Sequence, residues 1–120
     1  MTEIAHYRKQ IEAALEYADG SHTFDDVAQG VSTGRFQFWP GPTSVVITEL
    51  LDAPKYRTLN FWLAGGSLAE LEAMTPPILD WGRAQGCAKA IFAGRPGWER
   101  TFLARTGWEP AKLVVFEKKL

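Results

Sequence analysis

The stretch with the clearest potential for chemistry is Leu63-Ala64-Gly65-Gly66-Ser67. An extended apolar run ends there in two glycines and a helix begins, and backbone amides at a helix start form an anion site. A phosphate held there would also need positive charge nearby. Between Thr58 and Gly82 the chain has neither Lys nor Arg, while Glu70 and Glu72 fall in the first turns of the helix. The Ser67-Leu-Ala-Glu70 segment reads as a capping box, which engages amides that a phosphate would use. A tight turn into a capped helix is therefore the favoured reading, with Leu63 to Ser67 as the weak candidate ligand loop.

The most distinctive run is Gly94-Arg95-Pro96-Gly97-Trp98-Glu99-Arg100. Structurally, Gly94 and Gly97 supply turn dihedrals, Pro96 fixes the approach and Trp98 anchors a helix start in the core. Functionally, Arg95, Trp98 and Arg100 form a candidate interaction patch beside the open end of a sheet. Other reactive residue types offer less. Asp25 and Asp26 are adjacent on a helix and point about 100° apart, so capping explains them better than paired-carboxylate catalysis. His6 has no ligand-type residue one turn away, and no metal site is expected. Cys87 is alone, which excludes an intrachain disulfide, and reads as a small buried apolar residue.

The 120 residues suit a single domain with one real core, and 46% hydrophobic content with five tryptophans indicates a folded chain. No apolar run reaches membrane-span length, and the N-terminus lacks the order of a signal peptide. A cytosolic, non-secreted protein is expected. Residues 1–54 hold three basic and eight acidic residues, and residues 55–120 hold ten basic and six acidic. No basic block is dense enough to argue for nucleic acid.

These residues must be positioned by the following elements. Residues 2–19 form an amphipathic helix, with Ile4, Tyr7, Ile11, Ala14, Leu15 and Ala18 on one face, Thr2 as cap and Asp19-Gly20 as stop. A shorter helix starts at Thr23, where Thr23-Phe-Asp-Asp26 is a capping box with Asp in place of Glu, and ends at Gly34. Residues 35–39, 44–51 and 56–64 are three antiparallel strands joined by Pro/Gly and Asp/Pro turns. The third begins a β-α-β unit and is apolar enough to be covered on both faces. The helix after Ser67 buries Leu68, Leu71, Ile78 and Trp81 or Ala84, and Pro76-Pro77 is expected to kink it or split it at Thr75. A strand over 87–93 follows, then a helix over 98–106 with Trp98 and Phe102 inward and Arg100 and Arg105 in solvent. Gly107 is a left-handed stop, Trp108 a lock beyond it, and residues 112–118 the closing strand.

The order α-α-β-β-β-α-β-α-β makes an α+β fold with a central mixed sheet. It resembles the GNAT (Gcn5-related N-acetyltransferase) fold over roughly residues 2–120, lacking the family's usual first strand. Gly86-Cys-Ala-Lys-Ala-Ile-Phe and Phe102-Leu-Ala-Arg-Thr-Gly107-Trp108 carry the likeness. The resemblance implies an acetyl-CoA pyrophosphate between the third strand and the next helix, with a basic residue ahead of the glycines. Here that place reads Leu63-Ala-Gly65-Gly66-Ser67. The family's frequent general acid, a tyrosine four residues before the glycine of the second motif, falls on Leu103. Its general base often comes from a Glu on neighbouring strands, which makes Glu49 the weak catalytic candidate.

More specifically, Leu-Asn-Phe-Trp-Leu-Ala-Gly-Gly followed by Gly-Arg-Pro-Gly-Trp-Glu-Arg resembles small GNAT-like proteins of tailed bacteriophages and prophages. That likeness implies a bacterial host cytoplasm or virion setting and protein partners among particle-assembly components. The expected function is a non-catalytic structural or interaction module with no cofactor. The alternative is a divergent acetyl-CoA-dependent N-acetyltransferase holding its cofactor through Lys89, Arg95 or Arg100. A nucleic-acid accessory role, resting on aromatics and the basic half, ranks last.

Overall fold

The computed structural model describes residues 3–18, 20–94 and 97–120. Thr2, Asp19 and Arg95 therefore lie outside the described residues, and with them the expected first-helix cap, part of its stop and half of the arginine pair.

Four strands form one sheet in the order β1-β2-β3-β4: β1 (Phe36–Pro40), β2 (Val45–Asp52), β3 (Arg57–Gly65) and β4 (Cys87–Phe92). The first three pair antiparallel, and β3 pairs parallel with β4. The expected meander and crossover are both present. Two helices, α1 (Arg8–Leu15) and α2 (Phe24–Ser32), cover one face, and α3 (Leu68–Ala84) covers the other. The result is a mixed α+β fold with a four-stranded mixed sheet between helices. Among the described residues, no helix is long and apolar enough to cross a membrane.

The sheet separates two apolar clusters. Ile11, Leu15, Phe24, Val27, Phe36, Val45, Ile47 and Leu63 pack under α1 and α2. Val46, Leu59, Phe61, Leu71, Ile78 and Phe102 pack under α3. β3 thus supplies both layers, as its apolar run requires. Its alternation is interrupted where Ile47 pairs Leu63 and Thr48 pairs Phe61, leaving Trp62 without an opposite residue. This bulge sends Trp62 and Leu63 to the same cluster.

The Thr23 capping box is complete. Thr23 Oγ1 accepts from the Asp26 amide at 3.2 Å, and the Asp26 carboxylate accepts from the Thr23 amide at 2.9 Å. Those bonds, led by the backbone one, hold the Asp26 carboxyl below its ordinary value.

Other expectations are corrected. The first helix is a 3-10 turn over Glu3–Tyr7 followed by α1, because no side chain caps the α-helix start and Tyr7 is drawn away. Its hydroxyl donates to the Gly41 carbonyl and its ring meets Phe38 edge-on at 5.7 Å. Helix α3 is not split at Thr75 but runs through Pro76 and Pro77. Both prolines are exposed, and Thr75 Oγ1 donates to the Leu71 carbonyl at 2.7 Å just before them. Its buried positions are Leu71, Ile78 and Gly82; Leu68, at the first turn, is half exposed.

The helix expected over 98–106 is two 3-10 turns, Trp98–Arg100 and Phe102–Arg105. Thr101 breaks them. Its backbone is extended, and its hydroxyl donates to the Trp98 carbonyl at 2.6 Å while accepting from the Leu103 amide at 3.4 Å. Such local bonds compete with helix continuation. Arg105 is exposed, as expected, and pairs with Glu72 at 2.6 Å on the surface. Gly107 adopts a φ of +87°, and Trp108 meets Phe61 edge-on at 5.5 Å, as a stop and lock should. Residues 112–118 form no strand: they are exposed and pair with neither outer strand of the sheet, β1 or β4.

Candidate functional site

At the C-terminal ends of β3 and β4 the parallel pair parts, because pairing stops at Phe61 with Phe92 while β3 continues to Gly65. The opening forms a cleft of about 580 Å³ against α1. Tyr17, Trp62, Leu63, Gly66, Phe92 and Trp98 are among its walls, and Ala13, Ala14 and Ala18 line the α1 side. None of the described residues that line it is charged. From these described walls a phosphate would lose water and gain no countercharge.

The glycine junction opens onto this cleft. Leu63, Ala64, Gly65 and Gly66 all line it, so the candidate loop is brought to one place; Ser67 turns away into the helix start. A close approach explains the glycines. A Cβ on Gly65 would stand 2.7 Å from the Gln10 carbonyl oxygen of α1, and Gly66 adopts a φ of +127°.

Two of the amides at this helix start, those of Ser67 and Glu70, are already engaged. The Ser67 amide donates to Ser44 Oγ at 2.9 Å, and the Glu70 amide donates to Ser67 Oγ at 3.4 Å. Only half of the expected capping box exists, because the Glu70 carboxylate does not return to Ser67. It reaches the β1–β2 turn instead, accepting from the Thr43 amide at 2.9 Å and from Thr43 Oγ1 at 2.8 Å. The helix dipole has thus received an internal anion. Hydrogen bonds from the Ser44 hydroxyl first, then from Thr43, hold the Glu70 carboxyl below its ordinary value.

That lowering has a pH consequence. A carboxyl whose folded pKa is depressed contributes stability above its unfolded pKa and loses it as pH falls through the folded value. We expect the Tm advantage of the wild type over Glu70→Gln to be present near about pH 6 and to shrink toward about pH 3. A difference that stays constant across this range would show that charge at Glu70 contributes nothing.

The remaining candidates do not converge on the cleft. Glu49 is half-buried on β2, opposite Asn60, whose Nδ2 donates to its carboxylate at 3.1 Å, and it does not line the opening. Lys89 lies over the Tyr56 ring at 4.9 Å, near the other end of β4. Arg100 is exposed and has no ion-pair partner among the described residues. Leu103 stands in the last 3-10 turn, packed on the α3-side cluster.

Trp98 is half-buried rather than sealed in the core. Its ring meets Phe92 edge-on at 4.7 Å. Trp98→Ala should cost about 1–3 kcal/mol, below the about 3–5 of a fully buried aromatic. Urea unfolding monitored by far-UV circular dichroism checks this.

Sequence reasoning missed the walls supplied by Tyr17, Trp62 and Phe92. The alanines of α1 were the available signal, since small residues facing a glycine turn permit backbone approach. The bulge that turns Trp62 had no sequence mark.

The fold so described is an α+β domain whose mixed sheet is covered on both faces. Among solved structures it is similar to TTHA1254 from Thermus thermophilus, with 11% sequence identity and a TM-score of 0.67 for the wild-type crystal structure. The TM-score is 0.68 for a mutant of the same protein, and each match covers 98% of this chain and 91% of that one. At this identity the likeness is one of fold. Neither a family model nor a curated protein matches the sequence.

Proposed function

We propose that this chain is a GNAT-like domain without acetyltransferase activity, acting as an interaction or structural module of a tailed-phage or prophage particle. The observation that carries the reading is the helix start at Ser67, where the Ser44 hydroxyl takes the Ser67 amide and the Ser67 hydroxyl the Glu70 amide, beside a cleft with no charged wall among its described residues. A pyrophosphate-bearing cofactor would find two of those amides taken, a carboxylate in the first turn of the helix and no cation among the described walls. The position that matches the family's acid is Leu103, which has no proton to give, and Glu49 is tied to Asn60 away from the cleft. The element order through β4 supports the family reading, and the phage setting rests on the sequence resemblance. What the cleft suits is an uncharged, largely apolar group such as an aromatic or aliphatic side chain of a partner protein.

The test is titration calorimetry with acetyl-CoA and with free CoA. The expected result is no binding heat at millimolar ligand. Micromolar binding of either compound would overturn the reading in favour of a divergent acetyltransferase, whose cofactor would then depend on cations outside the cleft walls, such as Arg100.

A further inference from the structure

We propose that residues 113–116 are a strap that closes over the cleft of their own chain when an uncharged apolar group enters it. Val115 lines the cleft, and every other described residue of its walls lies within residues 13–98. The arm therefore adds a wall from outside the body of the fold. Its contact is incomplete. Val115 is still 92% exposed, and Leu113, Val114 and Phe116 beside it are exposed as well. Four adjacent apolar side chains thus stand in water beside a cleft whose described walls are uncharged and include Trp62, Phe92 and Trp98. An apolar group in the cleft supplies the surface that joins the two, and closing the strap on it removes all three from water. In an extended strap successive side chains alternate, so Leu113 shares the side of Val115 and closes with it.

The arm is anchored at its root and unpaired beyond it. Trp108 meets Phe61 edge-on at 5.5 Å, after a left-handed turn at Gly107. Residues 109–120 form neither helix nor strand and are exposed, which makes residues 109–112 the hinge. Pro110 biases Glu109 toward an extended backbone, directing the arm away from the helical turn. From Trp108 to Leu113 the chain spans at most about 18 Å, so the strap stays beside its own cleft. A segment tethered in this way meets its site at an effective concentration of the order of mM, which a second copy in dilute solution does not reach. Lys112 and Glu117 bound the apolar run and keep its ends in water.

The strap rests on the apolar-group reading of the cleft given above, and the two can fail separately. Nile red, an uncharged dye whose emission rises in apolar surroundings, is the probe. The full chain is expected to bind it, and Leu113→Asp with Val115→Asp should weaken binding about tenfold, mainly through faster release, while the circular dichroism spectrum stays folded. Ala13→Asp, at an exposed position of the opposite wall, should weaken it too. Maleimide labelling of Val115→Cys, read by peptide mapping with Cys87 as internal reference, should slow about tenfold once the dye is bound. Dye that binds neither the wild type nor the double variant would remove the apolar-group reading, and the strap with it. Equal binding to both would leave that reading standing and remove the strap alone. Tighter binding to the double variant, binding untouched by Ala13→Asp, or a Val115→Cys whose labelling the dye does not slow would each overturn the strap.

Discussion

Gly66→Ala is expected to destabilise the fold by about 3 kcal/mol or more, the sum of backbone strain and a steric clash. The strain comes from a φ of +127°, a conformation that side-chain-bearing residues rarely adopt. The clash comes from Ser44: an added Cβ would lie 2.5 Å from its Cβ and 2.7 Å from its Cα. Ser44 is fully buried and cannot swing outward, and its hydroxyl accepts from the Ser67 amide. Relief by backbone movement would therefore break the bond that starts α3. Gly86→Ala makes the control. Its φ of +82° carries similar handedness, but nothing lies within 4 Å of the added carbon. It should lose only about 1–2 kcal/mol, the strain alone. Denaturant midpoints for the two variants separate the contributions, and equal losses would remove the clash from the account.

Leu59→Ala should cost about 2–5 kcal/mol, as a fully enclosed leucine leaves a cavity. Leu59 is 1% exposed on β3, beneath α3. Its partner is a glycine: a Cβ on Gly82 would stand 2.7 Å from Leu59 Cδ2. Helix and strand approach closely because one side chain is absent and the other fills the space. In the wild type, Gly82→Ala should therefore destabilise by about 1–3 kcal/mol through overpacking. In the Leu59→Ala background the same change should stabilise by about 1 kcal/mol, since the clash is gone and alanine is the better helix former. The sign reversal in a double-mutant cycle is the diagnostic result. Additive effects would mean that the two elements do not share this contact.

Where the sequence was readable, the signals were local. Thr23 and Asp26 specify their own bonds within one helical turn, and the alternation of β1 to β3 with its Pro/Gly turns specifies the meander. Cys87 to Phe92, following a helix terminator, was legible as the crossover strand. The failures concern residues whose partners are distant. Glu70 had two possible partners for its carboxylate, Ser67 three residues away and Thr43 across the turn, and only the assembled sheet brings Thr43 within reach. Thr101 breaks a helix through its own hydroxyl, in competition that periodicity does not reveal. The arm at 113–116 has a strand's composition, but a strand needs an edge, and in one chain it has not taken one. For the candidate site, the glycine loop could be read from the sequence, and it lies on the cleft. The aromatic walls could not, because a single unpaired residue in β3 decides which way Trp62 points.

The double membership of β3 also sets an order in time. Its pairing with β2 closes the short turn between Asp52 and Arg57, whereas its pairing with β4 waits for the whole of α3 to bridge Gly65 and Cys87. Short loops close at lower entropic cost, so the meander assembles first and the crossover later. Until then one edge of the strand that feeds both apolar layers is bare. Refolding yield is therefore expected to fall as chain concentration rises, since other chains compete with the arrival of β4.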